Sequence, residues 1–177
     1  MNVTFQDVKN SPEIRTYITQ ADASLLALGF TDHSFAHVSK CADVAARILT
    51  ALGYDAREVE LARIAAYMHD IGNLVNRVDH SQSGAVMAFR ILDNMGMEPS
   101  DVAAVITAIG HHDDSTAFPV NAIAAALILA DKTDVRRSRV RNADITSFDI
   151  HDRVNYAVER SEVLLDQIGR ASCRERV

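Results

Sequence analysis

Apolar residues recur at helical spacing along nearly the whole chain, and each run carries its own start and stop signals. "SPEIRTYITQADASLLALG" opens on Ser11 and Pro12 and closes at Gly29, the order of an N-cap, a first-turn proline and a terminating glycine. "HVSKCADVAARILTALG" repeats Val38, Cys41, Val44, Ala45, Ile48 and Leu49 before Gly53, a stripe of period 3.6. Asp55 then caps a helix through Leu61, Ile64, Ala65 and Met68, with Glu58 placed as a capping-box partner. Further helices are expected over "SQSGAVMAFRILDNMG", "SDVAAVITAIG" and "NAIAAALILADKTDVRRSR", and a last amphipathic segment from about 149 to 165. With three prolines and no alternating strand of useful length, the expectation is an all-α bundle of about six or seven helices.

A chain of 177 residues suffices for one domain with a sizeable core. The organisation expected is one domain over 1–168 and an atypical, unpacked tail over 169–177, because "GRASCRERV" breaks the periodicity. The net charge of −6 argues against a dedicated nucleic-acid binder. No apolar run reaches membrane-spanning length and the N-terminus lacks a signal peptide's apolar core, so no membrane partner is expected and the cytoplasm is the default compartment. Cys41 and Cys173 offer neither a disulfide framework nor metal-ligand spacing.

The helix ends carry the chemistry. "AAYMHDIGN" places His69 and Asp70 where an apolar helix should bury its last turn, and a buried carboxylate costs several kcal/mol unless paired or metal-bound. The same dipeptide at His112-Asp113 and His151-Asp152 lies in polar surroundings and reads as solvated. His37 opens the stripe of Val38, Cys41 and Val44; His80 begins a helix with Gly84 in its next turn; His111 and His112 follow Gly110; Asp131 follows "AIAAALILA". Taken singly, each histidine reads more simply as a hydrogen-bonded core or rim residue. Together they place histidines and aspartates at the ends of helices that can converge on one cavity. Mixed His/Asp ligation without cysteine suits iron, manganese, cobalt or magnesium. The number of ligands exceeds one metal's share, which favours two divalent ions bridged by Asp70.

Lys132, Arg136, Arg137, Arg139 and Arg141 form a basic run after Asp131. Lys132 and Arg136, four apart, are expected to share a helix face and to bind substrate phosphate. His33, one turn before His37, is expected to be an ordinary exposed histidine.

The ordered set His37, His69-Asp70, Asp131 resembles the H…HD…D signature of the HD-domain metal-dependent phosphohydrolases, over about residues 31 to 141. The likeness includes "HDIGN", "HSQSG", "HHDD" and "LADKTD". It implies that His37, His69, Asp70 and Asp131 hold one metal and Asp70, His80 and His111 the other. Asp70 and Asp131 would be the catalytic carboxylates and a metal-activated hydroxide the nucleophile. The branch that cleaves cyclic di-GMP reads HDIGK and carries a GYP loop; Asn73 and "HHDDSTAFP" stand here instead, so that substrate is not expected. The likeness is greater to the small-nucleotide branch, which includes diadenosine tetraphosphate hydrolases, and to uncharacterised bacterial HD-domain proteins that continue well beyond "GRASCRERV". The expected partner is a small phosphorylated or nucleotide substrate, with homo-oligomerisation left open. Two rival readings are a non-catalytic HD-fold sensor or scaffold and a di-iron oxygenase on the same scaffold.

Overall fold

The structure, a computed structural model, describes residues 3–114, 116–165 and the backbone of 171–176. Eight α-helices stand among them: α1 (Phe5–Asn10), α2 (Pro12–Ala27), α3 (Phe35–Ala51), α4 (Ala56–Met68), α5 (His80–Asn94), α6 (Pro99–Gly110), α7 (Ala122–Thr133) and α8 (Ile150–Ala157). The fold is an all-α bundle. No helix among the described residues is long and apolar enough to cross a membrane.

The boundaries follow local chemistry. Ser11 accepts from the Ile14 N–H at the start of α2. Asp55 accepts from the N–H groups of Arg57 and Glu58 at the start of α4. Gly29, Gly53 and Gly96 follow α2, α3 and α5 with positive φ, a backbone that costs glycine little. The helix beyond the expected count is α1, fixed by a Thr4–Asp7 capping box.

Two expectations change near the C-terminus. Helix α7 stops at Thr133 with Asp134 as its cap instead of running to Arg139, because Asp134 turns into the interior as a partner of several cations. The last amphipathic segment is helical only to Ala157; strand β1 (Arg160–Leu165) follows and pairs antiparallel with β2 (Ala171–Arg176), Val163 opposite Cys173. Of the stretch expected to be an unpacked tail, 171–176 is therefore paired, while 169, 170 and 177 lie outside the described residues.

Helix α4 is central, packed against α1, α3, α6 and α7. Its buried side chains Ile64, Ala65, Ala66, Tyr67 and Met68 join Cys41, Ala45 and Leu49 of α3 and Val105 and Ile109 of α6 in one apolar core. Small residues keep the axes of α3, α4 and α7 close, so their ends meet around one point. After α4 the chain makes a short 3-10 turn, Ile71–Leu74, that lies against the first turn of α5. A Cβ on Gly72 would collide with the His80 carbonyl oxygen, and a Cβ on Gly84 would come within 3.2 Å of the His69 carbonyl. The two glycines thus let the α4 end and the α5 start touch, which brings Asp70 beside His80.

Candidate metal centre

Five helix ends supply the site. His37 lies in the first turn of α3, His69 caps α4, His80 begins α5, and Asp131 sits in the last turn of α7. His112 follows α6 and is buried, as are His37, His69, Asp70 and His80. Their rings stack edge-to-face in a row: His37–His69 at 5.3 Å, His69–His112 at 4.9 Å and His112–His80 at 5.1 Å between centroids.

Every one of these imidazoles is oriented through Nδ1. His69 donates Nδ1–H to the Ala66 carbonyl (2.7 Å), His80 to the Arg77 carbonyl (3.0 Å) and His112 to the Ile109 carbonyl (2.6 Å). His37 donates to Asp134 Oδ2 (2.9 Å). A carbonyl or ionised carboxylate only accepts, so Nδ1 carries a hydrogen and Nε2 is the atom turned to the centre, a ligand once it is deprotonated.

Those Nε2 atoms converge on Asp70. Oδ2 lies 3.0 Å from His69 Nε2 and 3.6 Å from His37 Nε2, whereas Oδ1 lies 3.6 Å from His80 Nε2. Asp131 Oδ1 closes the first group, 3.3 Å from His37 and 3.7 Å from His69. In the second group, His80 Nε2 and His112 Nε2 stand 3.2 Å apart. Two neutral imidazoles that both keep hydrogen on Nδ1 repel at that distance unless a cation lies between them. His69 Nε2 and Asp70 Oδ2 are buried without a hydrogen-bond partner, although 3.0 Å apart, because their alignment is wrong for one. Both are instead aimed as ligands to a shared point would be. His37, His69 and Asp70 could hold a metal ion, and so could Asp70, His80 and His112.

The electrostatics favour a cation. Burial alone would push His69 down, but the Asp70 and Asp131 carboxylates outweigh it and lift the group to about 10. Burial would raise Asp70 and Asp131, yet the neighbouring histidines hold both well below the usual carboxylate range. His112 is pushed down by burial to about 4, which leaves its Nε2 a free base. Asn73 Nδ2 donates to Asp70 Oδ1 (2.9 Å) and to its carbonyl (3.0 Å), fixing the carboxylate from behind.

The profile of the HD domain family matches residues 34–146, more than half of the chain. The chain belongs to the HD-domain family. It is similar, at 29% identity and a TM-score of 0.55, to the crystal structure of a predicted HD superfamily hydrolase from an uncultured Thermotogales bacterium. That match covers 69% of this chain, which spans 66% of the length of the other. An uncharacterized protein of Methanocaldococcus jannaschii is 23% identical over 90% of this chain and 70% of its own length.

Within this HD domain His37, His69, Asp70, His80 and Asp131 meet at one centre. His111 does not join them: its Nδ1 donates to the Thr107 carbonyl (2.9 Å) in its own helix, and its neighbour His112 occupies the place expected of it. The signal was in the spacing: Val102, Val105, Ile109 and His112 fall 3, 4 and 3 residues apart on the buried face, and His111 is off that stripe.

A cavity of about 340 Å³ opens over the cluster. Lys132 lines it, with Nζ 2.8 Å from Asp131 Oδ2 and 2.7 Å from Asp114 Oδ1. Arg136 does not line it, since α7 ends before it and its Nε donates to Asp134 Oδ1 (3.0 Å). Arg139 of the basic run does line it, and so does Arg77, which nothing in the sequence pattern singles out. His33 also lines the cavity instead of facing solvent; burial pushes it down to about 3, and its Nδ1 donates to the Thr31 carbonyl (2.7 Å). His151, which reads as solvated, is exposed and stands in the cavity wall, carried there by α8.

Proposed function

We propose that this HD-domain protein is a metal-dependent phosphohydrolase that cleaves a phosphoester or phosphoanhydride bond in a small, nucleotide-like substrate. The observation that carries the reading is the convergence of the His37, His69 and His80 Nε2 atoms on the two oxygens of one buried carboxylate, Asp70, with His112 Nε2 3.2 Å from that of His80. His37, His69, Asp131 and Asp70 Oδ2 would hold one divalent ion; His80, His112 and Asp70 Oδ1 would hold a second. When bound, such ions act as Lewis acids on phosphoryl oxygens and lower the pKa of water to about 7, so that hydroxide is available at neutral pH.

The chain's own groups then divide the remaining work. Asp131, ionised and open to the cavity, takes the proton released as water attacks phosphorus, at Oδ2 beside Lys132 Nζ. Lys132 and Arg77 face the phosphate and offset the charge that builds on its oxygens. Arg77 has the looser ties, 3.3 Å to Asn73 Oδ1 and 3.4 Å to His80 Nε2, and so can turn to an incoming anion. His33, neutral through most of the pH range, keeps a proton-accepting Nε2 at the wall.

The test is a hydrolysis panel of nucleoside mono-, di- and triphosphates, dinucleoside polyphosphates and cyclic di-GMP, run with manganese, iron, cobalt or magnesium. Metal-dependent release of phosphate from one of the first classes is expected, with cyclic di-GMP left intact. The nearly isosteric Asp70→Asn should lower that rate by two to three orders of magnitude, about 3–4 kcal/mol of barrier. Protein that binds metal yet cleaves neither the panel nor a simple phosphate monoester would be a sensor or scaffold, and turnover that needs oxygen would make it an oxygenase.

A further inference from the structure

The cavity has two chemically distinct halves. Its floor is His80, His112, Asp70 and Asp131; its mouth carries Phe30, Val135, Ile150 and Val154. Ile150 and Val154, one helical turn apart on α8, are 68% and 41% exposed. A short helix ordinarily hides such a pair in the core. Here α8 is held by polar contacts instead. The Asn155 Oδ1 accepts from the Arg136 N–H (3.1 Å), and Arg137 Nε donates to the Tyr156 carbonyl (2.8 Å) while its guanidinium lies over the Tyr156 ring. The anchoring leaves the apolar pair of α8 at the cavity. Phe30 carries the Arg77 guanidinium 5.5 Å from its ring centre. Phe30 and α8 fall outside the stretch matched to the family profile, whereas Val135 lies within it.

The cations argue in the same direction. Lys132 is tied to Asp131 and Asp114, and Arg139 donates to the carbonyls of Asp32 (2.8 Å) and Asp134 (2.7 Å). Arg77 is left as the loosely held cation among the described wall residues, beside a Lys132 whose charge is already shared with two carboxylates. The pair suits one phosphate group, not a chain of them. At about 340 Å³ the cavity is also near the small end of ligand sites, about 300–1,000 Å³.

We infer that Phe30, Ile150 and Val154 form an apolar seat for the leaving group, so that the preferred substrate is a phosphate monoester of an alcohol bearing a compact, non-polar or aromatic body. This rests on the phosphohydrolase reading and adds the part of the substrate that the metal ligands do not see. Hydrolysis breaks the P–O bond, adds water's hydroxyl to phosphorus and returns its proton to the departing alkoxide, so the apolar alcohol leaves neutral.

The test pairs two esters of similar intrinsic reactivity, 2-phenylethyl phosphate and 2-hydroxyethyl phosphate, with binding of the uncleavable 2-phenylethylphosphonate and 2-hydroxyethylphosphonate by calorimetry on metal-loaded protein. The wild type should favour the phenyl member of each pair by at least about tenfold, the low end for a single methylene group in an apolar pocket. Ile150→Ser/Val154→Ser should abolish that preference through KM and phosphonate Kd while keeping its metal content. Ile145→Ser, an exposed apolar change off the cavity wall, should keep the preference. Equal binding of both phosphonates by the wild type, no binding of either, or a preference that survives the double variant would overturn the seat. Phosphonate preference lost in the double variant, with neither ester cleaved, would uphold the seat and sink the hydrolysis reading instead.

Discussion

Asp134 is the residue whose role is most sharply set by its neighbours. It is fully buried, accepts from His37 Nδ1, and is itself balanced by Lys40 Nζ (2.8 Å) and Arg136 Nε (3.0 Å). Carboxylates that hold a ligating histidine from behind fix its tautomer and raise its basicity, and losing one costs about 10–100-fold in metal affinity. Asp134→Asn should therefore weaken metal binding by that factor in a competition titration against a chelator, with the helical circular dichroism kept. Unchanged affinity would reduce Asp134 to a structural ion-pair hub. Protons compete for the same lone pairs. His69 is lifted to about 10 in the metal-free protein, against an ordinary 6.5. Its folded-state stabilisation as a cation is full below pH 6.5 and lost as pH rises through about 10; metal can use Nε2 only once that proton has gone. Metal uptake at pH 7 should release protons, and apparent affinity should rise steadily towards pH 10. Calorimetry in buffers of different ionisation heat measures both, and a pH-independent affinity would contradict the assignment of His69 as a ligand.

Helix ends, not helix bodies, make the site, and this decides what the sequence could reveal. The bodies were legible because Ser11, Asp55, Gly29, Gly53 and Gly96 punctuate stripes of period 3.6. His37, His69, His80 and Asp131 were legible for the same reason, each being the last or first member of a stripe. Side chains beyond a cap were not. Whether His111 or His112 turns inward depends on the last turn of α6 continuing its phase past Gly110, and Arg77 lies in a connection that periodicity does not reach. The end of α7 was misread because "DKTDVRRSR" has good helix formers, while the pull of Lys40, Arg136 and His37 on Asp134 is a tertiary effect. Gly72 tests the geometry of the ends directly. Gly72→Ala puts a methyl group into the backbone carbonyl of His80, and overpacking of this kind costs about 1–3 kcal/mol. The variant should melt at lower temperature and lose its metal on the His80 side first. Gly110→Ala meets only the Ala85 Cβ, at 3.8 Å, and should do neither.

At the scale of the whole molecule, the basic run after Asp131 serves mainly to close the bundle over the site. Arg141 Nη2 binds Asp22 (2.6 Å) and Asp32 (2.9 Å), Arg139 bonds the Asp32 carbonyl, and Arg137 bonds α8 through Tyr156. These bonds tie the loop after α2 and the helix α8 to the end of α7, so that Phe30, His33 and His151 reach the cavity wall. The sequence alone shows five positive charges and assigns Lys132 and Arg136 to phosphate; the fold ties Arg136, Arg137, Arg139 and Arg141 to its own carboxylates and carbonyls. The centre beneath is claimed to hold two metals bridged by Asp70, with His112 and not His111 completing the second. Elemental analysis of purified, metal-reconstituted protein and of two single variants tests this most directly. Two divalent ions per chain are predicted for the wild type and for His111→Ala, and one for His112→Ala. One ion in all three, or a loss in His111→Ala with none in His112→Ala, would contradict it.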